Sequence, residues 1–438
     1  MGDCKMRVMV RRFSTLALAV AVTTLLVACD GGGSSGNGGI VTPPQPVPFP
    51  PTPTTPLPPA ADNVLRVGPD QQFATTSLAL AAAKDGYIIE VMAGIYENDP
   101  LCVRLNNLTI RAIGGIATFL ATPPAGSNYP RTNPRCADKG IMVVSGNDVT
   151  IDGIEFTGAK VSSSNGAGIR AEGTNLTIRN SIFHKNQMGI LANDNLQSTI
   201  TIEDSEFYDT KGGPSIDVGH NIYINRIKKL VVTNISSHNG HMGHLLKTRA
   251  RENHITASRF FDDEDGDSSF ALDISGGVAF ITGNYFQKGP LSENPSVMIQ
   301  YDTSRDPDGP HEIYVKGNSF VSYLPTNGYW VRIRNSAPSA PPVTGQIEDN
   351  TFLAKYFANI GTNGAVFPSH YNIRPIPDLG TPPAPNVSIV AVNNTKLFTD
   401  DVPVPAAAAA PATPPLDGKE ILCSVFSTES CAETGNNN

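Results

Sequence analysis

Between Gly240 and Ile255 the chain reads GHMGHLLKTRARENHI, which gathers His241, His244, His254, Lys247, Arg249 and Arg251 into one short run. On an extended strand, residues two apart project from the same face, so Lys247 and Arg249 would stand side by side. Such a pair can neutralise an anion and hold it against an acid or a base. Histidine adds proton transfer near neutral pH, which arginine does not supply. The run is a candidate centre for acid–base chemistry on an anionic ligand. Whether it is one depends on which side chains the surrounding elements bring to one face.

Those elements repeat. Asn107-Leu108-Thr109-Ile110, DVTIDGIEF (148–156), NLTIRNSIF (175–183), TITIEDSEF (199–207), LVVTNISS (230–237), HITASRF (254–260), AFITGNYF (279–286), EIYVKGNSF (312–320) and GQIEDNTF (345–352) share one theme. Each is a short alternating strand, a polar turn residue, and then a hydrophobic residue that is usually Phe. The alternation argues for strands rather than helical repeats, and the period is roughly 24 to 33 residues. Short strands with no helix between them stack as coils at about 4.8 Å. The repeat therefore predicts an all-β solenoid of about nine or ten coils.

Ahead of the repeat, Val64 to Val67 reads as a strand, Phe73 to Ala83 as an amphipathic helix and Tyr87 to Met92 as a strand. A helix laid across the open end of a stack would cap its apolar surface. This opening, VGPDQQFATTSLALAAAKDGYIIEVMAGIYEND, resembles the N-terminal turn of the pectin-lyase-like superfamily of right-handed parallel β-helices, and the likeness runs over roughly residues 63 to 360. The resemblance implies a right-handed parallel β-helix with an N-terminal capping helix, and a sheet face that binds polysaccharide.

A second strand in each coil sets that face. Aligning Ile169-Arg170-Ala171-Glu172, Ile190-Leu191-Ala192-Asn193, Ile222-Tyr223-Ile224-Asn225, Leu246-Lys247-Thr248-Arg249, Leu272-Asp273-Ile274-Ser275, Val297-Met298-Ile299-Gln300 and Val331-Arg332-Ile333-Arg334 puts small or aliphatic side chains inward at the first and third positions. The outward columns then read Arg170, Leu191, Tyr223, Lys247, Asp273, Met298, Arg332 and Glu172, Asn193, Asn225, Arg249, Ser275, Gln300, Arg334.

Paired Lys and Arg on such a face resemble the arrangement in chondroitinase-B-like and alginate lyases of the superfamily. The activity this implies is β-elimination from an acidic, uronate-containing polysaccharide. Arg249 with Asn225 would neutralise the carboxylate, Lys247 would take the proton, and Tyr223 or a histidine (His241 or His244) would protonate the leaving oxygen. Asp273 flanks Lys247, while Gln300, Arg332 and Arg334 would extend the binding surface. His220 and His244 fall at the same turn of adjacent coils and are expected to stack; His254 opens the next strand as a structural residue. The loop FDDEDGDSS offers Asp263, Asp265 and Asp267 as oxygen ligands for Ca2+. Two carboxyl groups, Asp273 with Asp263 or Glu293, would instead suit hydrolysis. The reading of a different class is a non-catalytic lipoprotein that binds glycan or builds envelope structure.

The ends give the setting. Residues 1–28 have a basic start and an apolar stretch ending in Leu26-Val27-Ala28-Cys29, which resembles a lipobox, so Cys29 is expected to carry lipid and residues 1–28 to be an export signal, with a plain signal peptide or a twin-arginine signal built on Arg11-Arg12 as the alternative. Residues 29–62 are Gly/Ser-rich and then Pro-rich, a tether with no core of its own. Residues 63–370 form the expected β-helix domain and 371–438 a Pro/Ala-rich tail. In an oxidising compartment Cys423 would pair with Cys431 and Cys102 with Cys136, with buried free thiols as the alternative. The expected location is the cell envelope, on the periplasmic side of either membrane or at the surface, as a monomer. The net charge of −8, with no basic stripe to neutralise phosphates, argues against a nucleic-acid partner.

Overall fold

A computed structural model of the chain describes residues 60–130, 139–214, 216–295, 297–305, 308–323, 329–335, 341–355, 374–375 and 387–399. The chain divides into two units, Met1–Pro51 and Thr52–Asn438. The signal, Cys29 and most of the tether lie outside the described residues, as do Cys136, Cys423 and Cys431.

Among the described residues, the strands of the second unit pair in parallel. One ten-stranded sheet takes one strand from each coil, running from Leu101–Val103 through His220–Ile224, Leu246–Thr248 and Leu272–Ile274 to Tyr329–Arg334 and Arg374–Pro375. The remaining strands join in a second sheet whose coils mostly contribute two, as Val149–Asp152 and Ile154–Thr157 do on either side of Gly153. The molecule is a parallel β-helix.

The corner between those two strands explains the repeat's polar turn residue. Gly153, Asn180, Asp204, Asn234, Ala257, Gly283, Gly317, Asp349 and Asn393 all hold φ between +46° and +71°. That left-handed region favours Gly, Asn and Asp, so the recurring residue types report a recurring backbone conformation. Ala257 is the exception, and its methyl group has no polar side chain to offset the strain.

After most corners the next residue is Ser or Asn, and its side chain accepts from the backbone of the preceding coil. Asn318 Oδ1 accepts from the backbone N–H of Asn284 at 2.8 Å, and Asn350 Oδ1 accepts from that of Asn318 at 2.9 Å. Asn394 and Ser258 extend the ladder in both directions. Two residues further on, the repeat's phenylalanine enters the core. Phe156, Phe183 and Phe207 stack at 4.9 and 4.7 Å, and Phe260, Phe286, Phe320 and Phe352 stack at 5.4, 5.0 and 4.8 Å. Ser237 occupies the rung between the two stacks. The interruption lies in the coil that leads into Gly240.

At the N-terminal end the helix is shorter than expected, spanning Thr76–Ala82. Thr75 caps it by accepting from the N–H of Leu78. Phe73 is withdrawn from the helix because it bridges to Val67 instead.

Glu90 joins the first coils, accepting from Arg66 at 2.9 Å and Arg111 at 2.6 Å. Burial favours its neutral acid, but the hydrogen bonds from Arg111 and Arg66 outweigh burial and hold the carboxyl below its ordinary value of 4.5. A depressed carboxyl stabilises the fold at pH above the unfolded value and loses that contribution as pH falls through the folded one. The Glu90→Gln variant is expected to show a shallower fall in stability below about pH 4.5 than the wild type. Parallel acid-unfolding curves for the two proteins would remove this role.

Two expectations are corrected. Strands Val387–Val392 and Thr395–Thr399 pair with Val343–Glu348 and Thr351–Lys355, so the β-helix continues past residue 370 into the stretch read as tail. The prolines around it, at 375, 377, 382, 383 and 385, precede the strand rather than interrupt it. The second correction is one of register. Leu272 pairs with Ile299 and Asp273 with Gln300, two residues beyond the expected alignment. A two-residue slip keeps the inward and outward faces intact, so alternation alone does not detect it. The slip moves Gln300 into the column of Lys247 and Asp273, and Met298, which the expected alignment put in that outward column, is separately found buried in the core.

Candidate functional site

The ten-stranded sheet carries Arg170, Leu191, Tyr223, Lys247, Asp273, Gln300 and Arg332 in one continuous column, each paired with the next. Sheet register therefore places Tyr223, Lys247 and Asp273 on successive coils.

Lys247 Nζ donates to Asp273 Oδ2 at 2.7 Å, and both side chains are largely shielded from water. His244 Nε2 lies 3.4 Å from the same oxygen. The rings of His220 and His244 are 4.8 Å apart and tilted by 31°, and His244 also stacks on Phe270. The backbone N–H of His244 donates to His220 Nδ1 at 2.9 Å, and that of Phe270 donates to His244 Nδ1 at 3.3 Å. Burial, reinforced by the charge of Lys247, holds both imidazoles well below their ordinary pKa. Both rings are neutral at pH 7, with Nδ1 accepting and the proton on Nε2. His244 is thus fixed as a donor facing Asp273.

Arg249 differs from its neighbours. Its guanidinium sits 5.5 Å from the centre of the Tyr223 ring, as does Lys247 Nζ. Among the described residues it has no carboxylate partner, and its buried Nε has no hydrogen-bond acceptor. Around it, Arg332 donates to Gln300 at 2.5 Å, Arg334 lies 3.7 Å from Asp302, and Arg170 lies 3.4 Å from Glu172. Among its described residues, the sheet face thus holds an arginine, next to Lys247, whose charge no carboxylate meets. Asn225 follows Tyr223's strand and donates its side-chain amide to Ala192 O at 2.8 Å, which commits part of its donor capacity to the backbone.

The rung at Ser237 supports this arrangement from below. Where neighbouring coils place Phe, Ser237 Oγ donates to Leu245 O at 2.9 Å and accepts from Asn221 Nδ2 at 3.0 Å. Asn221 also donates to Phe207 O and His238 O, while its Oδ1 accepts from Thr210. A buried polar network replaces one aromatic ring and ties together the strands bearing His220 and Lys247.

The remaining candidates separate from this centre. His241 bridges two loops, with Nδ1 2.8 Å from Asp267 and Nε2 3.3 Å from Asp217. His254 lies on the other sheet, 2.6 Å from Glu252 and against Phe280. In the acidic loop, Asp263 accepts from Asn239 and from the backbone of Asp265, and Asp267 serves His241 and Met242. Among the described residues no three His, Cys, Asp or Glu side chains converge on one metal-sized site, so Asp263, Asp265 and Asp267 do not form the expected calcium site. The carboxylates of Asp263 and Asp267 are engaged by protein donors instead.

The loop's internal cation is Lys288, which sequence reading missed. Its Nζ donates to Ser292 Oγ at 2.8 Å, Asn294 O at 2.7 Å and Ser269 O. Burial lowers its pKa to about 7 and raises that of nearby Asp262 to about 6. Nothing in FQKGP marks that lysine as buried.

Residues 128–225 match the family described as "Right handed beta helix region". The class defined by fold and match is a right-handed parallel β-helix. Among solved structures, the chain is similar to pectate lyase Pel9A, at 16% identity and a TM-score of 0.34 over 64% of this chain and 82% of that one. It is similar to the pectin methylesterase from Aspergillus niger, at 13% identity and a TM-score of 0.31 over 85% and 98%. It is also similar to a PL6 alginate lyase complexed with a trisaccharide, at 12% identity and a TM-score of 0.28 over 82% and 91%. No curated protein matches.

Proposed function

We propose that the protein binds an acidic polysaccharide on the Tyr223–Lys247–Asp273 face and cleaves it by β-elimination. The observation that carries this reading is Arg249, a half-buried guanidinium without a carboxylate partner among the described residues, beside a lysine–aspartate pair. In the reaction, Arg249 neutralises the uronate carboxylate and so acidifies the adjacent C–H. Lys247, in its neutral form, takes that proton, and Asp273 stabilises the resulting ammonium. The electron pair forms the C=C bond as the glycosidic C–O bond breaks, and Tyr223 O–H protonates the departing oxygen. The test is incubation of the full chain with a panel of polyuronates and glycosaminoglycans, following absorbance of the unsaturated product. No product from any member removes the lyase assignment.

The 2.7 Å contact between Lys247 and Asp273 favours a second reading. A lysine held as an ammonium donates rather than abstracts, and the face then binds glycan without cleaving it. Retention of an unchanged polyuronate on the immobilised protein supports this form.

The N-terminal sequence adds an anchor to the proposal, through lipid on Cys29 after removal of residues 1–28. The Cys29→Ser chain is expected to leave the membrane fraction. A wild-type chain that fractionates as soluble, with an N-terminal peptide of unacylated mass, removes the anchor.

A further inference from the structure

Beside the candidate centre, on the N-terminal side of Tyr223, lies a cleft of about 460 Å³. Its apolar surface comes from Met188, Leu191, Ile216 and Val218, and Asn165 and Asn225 stand among its polar lining. Leu191 is the one aliphatic residue between Arg170 and Lys247 in the outward column, and Ile216 is 59% exposed. Among the described residues no carboxylate lines the cleft, and the one arginine in it, Arg170, is already met by Glu172 at 3.4 Å and by Asn193. The cleft therefore has hydrogen-bonding groups and an apolar floor, but no unmet charge for a second uronate.

Its walls are built rather than loose. Buried Gln187 accepts from the N–H groups of Val161 and Gly166 at 2.9 and 2.7 Å and donates back to Val161 O. Gly213 packs so closely that an added Cβ would stand 2.6 Å from Gln187 and 2.7 Å from Ser164. Gly213 and Ile216 exchange a backbone bridge, and Ile216 N–H donates to Ser164 Oγ at 3.3 Å. Ile216 is thus exposed because the loop holds it at the cleft, not because the loop has let go.

We infer that this cleft is a subsite for a glycan residue bearing an O-acetyl group, next to the residue whose carboxylate meets Arg249. The inference rests on the acidic-polysaccharide reading above and adds its substrate class. Tyr223 joins the two places, since it lines the cleft and lies beneath Lys247 and Arg249. Its neighbours in the cleft match an acetylated sugar: the methyl meets Leu191 and Ile216, and the hydroxyls meet the asparagines.

The test uses the full chain and two matched oligouronides, one carrying O-acetyl groups and one saponified, with affinities measured by calorimetry. The acetylated form is expected to bind about tenfold more tightly, the scale of one small apolar group in a fitted pocket. Ile216→Ser and Leu191→Gln should each narrow that difference, whereas Arg249→Ala should weaken both ligands alike. Unchanged melting temperatures guard against loss of fold, and Ile216 provides a surface substitution if Leu191→Gln fails to fold. Equal binding of the two oligouronides, or a preference that survives both cleft substitutions, overturns the subsite and leaves the polysaccharide reading in place. If neither oligouronide binds the folded protein, both readings fall together.

Discussion

The Arg249→Ala variant is expected to cleave a polyuronate about 10²- to 10³-fold more slowly than the wild type, the cost of removing one preorganised group that meets charge developing in the transition state. Its fold should be nearly unaffected. Arg249 has no carboxylate partner to strand among the described residues, and its cation–π interaction with Tyr223 is worth about 0.5–1 kcal/mol at an exposed site. Lys247→Ala should behave differently, because it leaves the shielded Asp273 carboxylate without its 2.7 Å partner. Comparing kcat/KM with thermal stability for both variants separates the roles. A folded Arg249→Ala protein with full activity would show that elimination does not pass through this face. Arg249→Lys is expected to rescue only part of the loss, since an ammonium does not offer the planar, two-pronged contact of guanidinium with a carboxylate.

The second large effect lies in the interior. Asn318→Ala is expected to destabilise the β-helix by about 3–5 kcal/mol. The side chain accepts from the Asn284 backbone and amide, and donates toward Ile281 O and Asn350 Oδ1. Truncation strands several buried groups at once, and the flanking rungs are too fixed by their own bonds to compensate. Urea unfolding of the two proteins reads the difference. A loss below about 1 kcal/mol, the net value of a single ordinary hydrogen bond, would show that the rungs act independently.

Much of this interior is visible in the sequence because it is periodic. In most coils the Gly, Asn or Asp corner residue, the serine or asparagine after it and the phenylalanine beyond recur with their spacing intact, and each reports a backbone or packing demand. The outward column from Arg170 to Asp273 follows for the same reason, since Arg170, Leu191, Tyr223, Lys247 and Asp273 each sit between inward aliphatics or small residues. Register fails at Val297 to Tyr301, where Val, Met, Ile, Gln and Tyr are all buried and no exposed polar residue marks the outward side. The end of the domain fails because prolines resemble a tail whether or not a strand follows them.

The site itself is less legible. Lys247 and Arg249 stand on a strand or just past its end, and alternation places them. The cleft draws on Ser163, Ser164, Asn165, Ile216 and Val218, from loop segments with no period, and His241 reaches Asp217 and Asp267 across loops. The missing phenylalanine at Ser237 is the one available signal of a polar network beneath the centre, and it stands in the repeat as LVVTNISS.

The chain takes 26, 34, 32 and 44 residues to travel between successive rungs from Ser258 to Asn284, Asn318, Asn350 and Asn394. Each trip nevertheless ends one strand spacing further along the axis, about 4.8 Å. Excursion length and axial advance are thus decoupled. An insertion can enlarge the surroundings of the outward face without altering the scaffold beneath, so new ligand preferences can arise in a protein of this kind while the interior sequence stays almost fixed.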